Sequence, residues 1–585
     1  MSAVAKLREY ASYSFRDAVI AQPSSGQAFI DRALVRLREG AHNFAKLSFD
    51  ERIALAESMQ QGYLRVAARS VEAGCKAKGI ALGTPSEAEE WALGPWGVIR
   101  QLRLIRESLH ALKNTGNTRI GPVSKTQDGR LAVRLFPGNA IDGLLFKDVA
   151  VDVHMLGSVT EQTLETTRAR FYKQPQHNGR VVLVLGAGNI AAIGPMDVIT
   201  LMFNEGKVCL LKMNPVNAYL GPFIEEAFAD AIKRNFLAVV YGGAEEGRYL
   251  VYHKGVDEVH ITGSDKTHDA IVWGPPGPER EARMQRNDPL LKKPITSELG
   301  NISPVIVVPG PYSDKEIRYQ AEDAASNFIM NASFMCCAAK MLVTPQGWDG
   351  SDKFLRGMQE VCAAIPPRQA YYPGAEDRWQ VLTRGRTQVT HIGKPAPGAL
   401  PWTFITGLNP NERDESLYSQ EPFCSVLSEA RLGSADPIEF LDKAVDFANN
   451  KLWGTLTATL VVHPKSLMDP VIGKAVEQAI TKLRYGTVTI NAYMGMPFVF
   501  ASAPWGAYPG ATLDNIQSGR GFVHNTAMLE GIEKVVMRAP LMTFPKPAYF
   551  PSHRTSHKMM PNIVAMEGNA SWGKVPGIVF AAMRG

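Results

Sequence analysis

The chain has 585 residues, 21% charged and 45% apolar, a globular composition that excludes a disordered chain. Its 63 Lys and Arg against 57 Asp and Glu leave a net charge of +6, too dilute over this length to mark a nucleic-acid or membrane-binding surface. Six cysteines at positions 75, 209, 336, 337, 362 and 424, none in a CxxC spacing, fit neither a disulfide framework nor a zinc site, so no metal is expected. Scattered free thiols suggest a reducing compartment. The N-terminal stretch has no apolar core of a secretory signal, and no uncharged apolar run approaches the ~18 residues of a membrane span. The expectation is a cytoplasmic protein.

Residues 1 to about 115 read as helical. SFRDAVIAQ (14–22) and SFDERIALAESMQQGYLRVAARSVEAG (48–74) place apolar residues at three- and four-residue spacing, and Ser48 with Glu51 forms a capping-box signature. Between 116 and 180, GRLAVRLFP and KDVAVDVHML read as short strands, and Arg134 to Asp142 as a lid, an oligomerisation element or simply an inserted hairpin. From 180 to 300, apolar strands (RVVLVLGAG, KVCLLK, FLAVVYG, DEVHITGS) alternate with helices, the pattern of a parallel sheet covered on both faces. A second α/β unit follows to about 490, with SPVIVV, a helix through AEDAASNFIMNASFM, AKMLVTP, TLVVHP and TVTIN. The tail from about 530 reads as turns and short apolar stretches.

Gly186-Ala187-Gly188-Asn189-Ile190-Ala191 follows a strand and matches the glycine turn that seats a pyrophosphate at a helix N-terminus. The acid that should follow on the next strand is missing, because KVCLLK ends on Lys212. The turn therefore reads equally as a simple strand-to-helix connection or as a nucleotide site with a cation near the ribose. Cys336 lies between a helix and a strand. A catalytic thiol there needs partial access and a lowered pKa, whereas an ordinary buried cysteine is a small hydrophobe, the reading for Cys337. Glu298, just before an apolar strand, suits a general base on water, or a solvated cap. Glu421 likewise reads as a polar loop residue when taken alone.

Together these segments resemble the aldehyde dehydrogenase superfamily over roughly residues 180–515. The signs are Asn189 after the glycine turn, Lys212, Ile261-Thr262-Gly263-Ser264, Glu298-Leu299-Gly300, Cys336, Glu421-Pro422-Phe423, Gly486-Thr487-Val488-Thr489-Ile490-Asn491, and Pro504-Trp505-Gly506 with Gly510, all in order. The resemblance implies an α/β fold with a Rossmann-like cofactor domain, an α/β catalytic domain and a β-rich oligomerisation arm. The corresponding division is 1–297 (with a β-rich insertion at about 116–180), 298–500, and 501–585 returning to the cofactor domain or arm. It implies oxidation of an aldehyde to a carboxylic acid with NAD or NADP, in a homodimer or homotetramer. Cys336 would be the nucleophile, Glu298 the activator of water and Asn189 an oxyanion donor. Lys212, Glu421, Phe423, Gly263, Ser264, Gly186 and Leu299 would line the cofactor site. Lys212-Met213-Asn214-Pro215 lacks the family's ribose-binding glutamate, which admits the extra phosphate of NADP, while Asn301 and Ser333-Phe334 also depart from the family pattern. Two alternatives stand beside this reading: a CoA-acylating or fatty acyl-reducing relative, and a non-catalytic relic. Phe334 and the apolar MGMPFVF at 494–500 suggest a hydrophobic substrate, or ordinary packing.

Overall fold

Two β-sheets organise the chain in a computed structural model that describes residues 22–174, 177–569 and 571–585. The helix expected at 14–22 lies outside the described residues except for Gln22. The next one forms as Phe49–Ala77. Ser48 accepts from the Glu51 N–H at 3.3 Å, and Glu51 accepts in return from the Ser48 N–H at 2.9 Å, the reciprocal pairing that the sequence signature implies.

The six-stranded sheet runs in the order Gly519–Arg520, Ile295–Leu299, Glu258–Gly263, Val181–Leu185, Val208–Lys212, Leu237–Val240. Its five longer strands are parallel, and only Gly519–Arg520 returns antiparallel along Ser297 and Glu298. Val and Leu fill Val181–Leu185 without a break, and Val208–Lys212 is apolar up to its last residue, the pattern of strands covered on both faces. The chain leaves this sheet after Leu299 and enters the second at Ser303, so the passage falls at Gly300–Ile302.

The second sheet has eleven strands: Val123–Lys125, Leu131–Phe136, Ala150–Met155, Ile532–Arg538, Thr487–Ile490, Thr457–Val461, Ser303–Val307, Ala339–Pro345, Val426–Leu432, Trp402–Leu408 and Val389–Ile392. The stretch from Ile532–Arg538 through Trp402–Leu408 is parallel throughout. The two strands expected between 116 and 180 are both present. They do not stand apart as an arm: Ala150–Met155 hydrogen-bonds antiparallel to Ile532–Arg538 and extends the chain's own large sheet. Within residues 134–142, Asp142 is buried and bridged to Arg100 at 2.9 Å, while 137–140 are exposed.

Two expectations are corrected. The helix expected to run on through Met335 stops at Ile329, because Asn331, Ala332 and Ser333 take left-handed φ values of 51°, 53° and 69°. The tail is not a string of turns. It supplies the strand Ile532–Arg538 and two helices, Ser556–Gly568 and Val575–Met583. The first buries Met559, Met560, Ile563, Val564 and Met566 along one face, whereas the second buries Val575 and Ile578 and leaves Phe580 and Met583 exposed. Glu567 ties the first of these helices down, bridging Arg100 at 2.6 Å and Arg103 at 2.7 Å and accepting the Trp96 indole N–H at 3.2 Å.

Candidate active site

Strand register assembles one side of the site. Leu185 pairs with Lys212 and with Ile261, and Thr262 pairs with Glu298. Gly186, Lys212, Thr262 and Glu298 therefore come together at the carboxyl ends of the strands, where α/β sheets bind ligands. They border a cleft of about 960 Å³ that Asn189, Gly263, Ser264, Cys336, Glu421 and Phe423 also line. Leu299 alone of the residues expected here does not line it. Its side chain is wholly buried and its N–H donates to the Ser518 carbonyl at 2.8 Å.

The cleft is shaped for a nucleotide. Lys212 is 7% exposed, its amine meets only the Met213 carbonyl at 3.4 Å, and burial lowers it to about 8. Ser264 caps the helix Asp265–Trp273 by accepting from the Thr267 N–H at 3.2 Å. Arg248 and Lys266, which the sequence did not single out, add two cations to the wall. Two glycines keep the cleft open. A Cβ on Gly188 would sit 2.6 Å from the Asn214 side-chain oxygen, and one on Gly300 would sit 2.1 Å from the Glu421 carboxylate. That close approach lets Glu421 accept from the Asn301 N–H at 3.3 Å, and burial raises its carboxyl well above the ordinary value against the pull of Lys340. Asn301, where the resemblance expects a glycine, points into the core and bonds Ser303 and the Thr457 carbonyl. A buried cation, a carboxylate on the opposite wall and this volume fit a dinucleotide with its ribose hydroxyls.

The segment that carries Cys336 is set by a strained turn. Three consecutive non-glycine residues at positive φ persist only where their surroundings over-determine them. Here the Lys340 amine donates to the Ser333 carbonyl at 2.8 Å and to its hydroxyl at 2.7 Å. The Asn331 amide donates to the Asn189 and Phe334 carbonyls at 3.0 Å, and the Asn331 N–H donates to Glu89 at 3.0 Å. Lys78, bridged to Glu90 at 2.7 Å in full burial, donates to the Asn331 side-chain oxygen at 3.0 Å, as does the Tyr371 hydroxyl. The Asn189 side-chain amide donates to the Phe334 carbonyl at 2.9 Å, which leaves its second N–H without a partner among the described residues, and both Asn189 and Cys336 line the cleft. Lys78, Glu90, Asn331, Lys340 and Tyr371 escaped the sequence reading. No sequence signal marks them: Asn331-Ala332-Ser333 contains neither glycine nor proline, and Ala332 is a strong helix former.

Cys336 is half-buried and borders both the cleft and a small void on its other side, where it meets Glu298, Asp197, Thr262, Phe498 and Trp505. The expected lowering of its pKa does not occur. The neighbouring Cys337 thiol, burial and the Glu298 charge hold the Cys336 thiol well above its ordinary value. Glu298 is no solvated cap either. It is 4% exposed, accepts the Trp505 indole N–H at 3.1 Å, and burial pushes it up to about 7. The site thus pairs a protonated thiol with a carboxyl poised to exchange a proton near neutrality. Behind Glu298 lies a buried polar group absent from the sequence reading. Asp197 accepts from the Thr262 hydroxyl at 3.0 Å and stands 3.4 Å from His260, whose other ring nitrogen meets Thr296 at 2.9 Å. Among the described residues no group of His, Cys, Asp and Glu has the arrangement of a metal site.

Residues 147–372 match the Aldehyde dehydrogenase family. The chain carries an aldehyde dehydrogenase family domain. The structure has the aldehyde dehydrogenase fold as well. It is similar to the NADP-dependent glyceraldehyde-3-phosphate dehydrogenase of Bacillus halodurans with a TM-score of 0.56 and 18% identity, over 88% of this chain and 92% of that one. Two curated relatives are similar in sequence: the D-glyceraldehyde dehydrogenase (NADP(+)) of Picrophilus torridus, 20% identical over 58% of this chain, and the 3,6-anhydro-alpha-L-galactose dehydrogenase of Streptomyces coelicolor, 30% identical over 26%. The chain spans 65% and 27% of their respective lengths. No helix among the described residues is long and apolar enough to cross a membrane.

Proposed function

We propose that the protein is an NAD(P)-dependent aldehyde dehydrogenase that hydrolyses its own thioester. The observation carrying this reading is the meeting of Cys336, Glu298 and Asn189 at the floor of a nucleotide-sized cleft. The Cys336 sulfur attacks the aldehyde carbon as its proton passes to Glu298. The oxygen that gains charge lies between the free Asn189 amide N–H and the Cys336 backbone N–H, donors of a kind worth roughly 10²–10³ in rate each. A nicotinamide dinucleotide held in the cleft supplies the acceptor for the hydride that the thiohemiacetal carbon gives up. Glu298 releases the thiol proton to solvent and, ionised again, takes a proton from water; the water oxygen attacks the thioester carbon, the C–S bond breaks, and the Cys336 sulfur leaves and regains a proton from Glu298 as the carboxylic acid is freed. Trp505 holds the Glu298 carboxyl in place for both steps.

For the cofactor, Lys212, Glu421 and Phe423 would hold the two riboses and the ring, and Ser264 would stand at the pyrophosphate. Arg248 and Lys266 beside Lys212 favour NADP, because a phosphate on the ribose would meet cations where a ribose-binding acid is missing. The Picrophilus relative is described as NADP-dependent, which agrees. The test is turnover of an aldehyde panel with NAD or NADP, with and without coenzyme A, alongside Cys336→Ser. Reduction of cofactor without coenzyme A that vanishes in the variant supports the reading. Turnover that needs coenzyme A replaces it with the acylating alternative, and failure to bind either cofactor removes it.

A further inference from the structure

Each turnover leaves Glu298 holding a proton that it must lose before it can take another from water. Glu298 is buried, and a dinucleotide seated in the cleft would cover the side on which it meets open solvent. Its other side borders a void of about 10 Å³, roughly room for one water, which Cys336, Thr262 and Asp197 also line.

Strand register sets a row of polar side chains beyond that void. On the parallel strands Glu258–Gly263 and Ile295–Leu299, Thr262 pairs with Glu298 and His260 pairs with Thr296. Residues two apart on a strand share a face, so these four side chains stand on one face of the sheet. Asp197 joins them from the helix Ile193–Glu205, whose other buried residues around it, Met196, Val198 and Ile199, are apolar. An acid buried there is costly unless it is engaged. Its carboxylate accepts from the Thr262 hydroxyl at 3.0 Å and stands 3.4 Å from His260 Nε2, while His260 Nδ1 meets the Thr296 hydroxyl at 2.9 Å. With Nδ1–H donated to Thr296, His260 presents its basic nitrogen to Asp197. A positive charge on His260 favours the ionised form of Glu298. The other ionisable groups near the row leave this role to His260. Cys336 and Glu421 face Glu298 from the cleft. His524, also close to Asp197 and His260, is wholly buried, and burial lowers it to about 4, so it stays neutral.

We propose that the Asp197–His260 pair stores the thiol proton while the cleft is filled, so that Glu298 is ionised again when water must attack the thioester. The Glu298 O–H bond breaks, and the proton passes through a water in the void and the Asp197 carboxylate to form an N–H bond at His260 Nε2. The imidazolium stands against the Asp197 carboxylate until the products leave, and the proton then returns by the same path to solvent in the open cleft. Asp197 and His260 act through Glu298 and line no part of the cleft.

The proposal rests on the hydrolytic dehydrogenase reading, and one experiment separates the two. Cofactor reduction is followed in stopped flow and in the steady state, without coenzyme A, for the wild type, His260→Gln and Asp197→Asn. The store acts only after the hydride has left, so each variant should give a burst of one reduced cofactor per site at the wild-type rate, then a kcat about tenfold lower. Thr296→Val, an isosteric change at an exposed position, should lower kcat with the burst intact, and Thr296→Ser should restore it. If the buried variants do not fold, the two Thr296 variants decide. Wild-type kcat in the variants that fold, or a burst slowed as much as the steady state, overturns the store and leaves the dehydrogenase reading standing. A wild type that oxidises no aldehyde without coenzyme A removes that reading, and the store falls with it.

Discussion

Two cavities of the molecule, the cleft at Cys336 and a second one of about 600 Å³ that Cys336 does not line, are built in different ways. The cleft is largely local: Gly186, Lys212, Gly263 and Glu298 sit at adjacent strand ends or just beyond them, so a few residues at each turn specify that wall. The second cavity is global, closed only when segments near residues 93, 146, 330, 500 and 560 meet. A wall built on strand ends places recognisable residues at fixed points of the chain, whereas a cavity closed by distant segments needs only volume and hydrophobicity from each, which many sequences supply.

The largest expected effect concerns Cys336, which borders the cleft alone of the two. Cys336→Ser should cut aldehyde oxidation by at least roughly 10⁴ in steady-state assays while leaving cofactor binding in the cleft measurable by fluorescence. On the cleft side, Asn189→Ala should cost about 10²–10³ in kcat, seen at saturating aldehyde, because one oxyanion donor is lost. Glu298→Gln should fall by a similar factor and lose the acid limb of the pH profile. In the wild type that limb lies near pH 7, where the Glu298 carboxyl ionises, and activity rises with pH through it.

Away from the cleft the expected effect is on stability. Glu567 and Glu298 are both buried carboxyls, yet Glu298 is raised and Glu567 lowered to about 2, since Arg100 and Arg103 overcome the cost of its burial. Glu567→Gln leaves Arg103 without its buried partner and should destabilise the fold by about 3 kcal/mol in urea unfolding. Because its folded pKa is depressed, Glu567 stabilises fully above the ordinary carboxylate range of about 4.3, and that contribution fades as pH falls toward 2. The variant should therefore lose most of its disadvantage in acid. The smallest effect separates cofactors within the cleft. Arg248→Ala should raise KM for NADP about tenfold relative to NAD, a change of ~1.4 kcal/mol.

The sequence was informative where a residue acts at its own position. Cys336, Glu298, Asn189, Lys212 and Glu421 were legible from short motifs, and all five reach the same cleft. Electrostatic state was not legible, because the Cys336 and Glu298 shifts depend on burial and on neighbours brought in by strand pairing. The support around the nucleophile was hidden for the same reason. Lys78 and Glu90 look like ordinary helix residues until the N-terminal helices fold against Asn331. Leu299 shows the opposite failure, where matching a motif said nothing about which way the side chain turns. The tail misled because Pro561 stands inside its first helix, where a proline ordinarily ends one, and Pro576 sits in the opening turn of the second.

The central claim is that water, activated by Glu298, releases the acyl group from Cys336. It is tested most directly by running the reaction in oxygen-18 water without coenzyme A and weighing the product. The account predicts a carboxylic acid carrying one labelled oxygen, formed in equal number with the reduced cofactor. Unlabelled acid, or product formed only when coenzyme A is added, would contradict it.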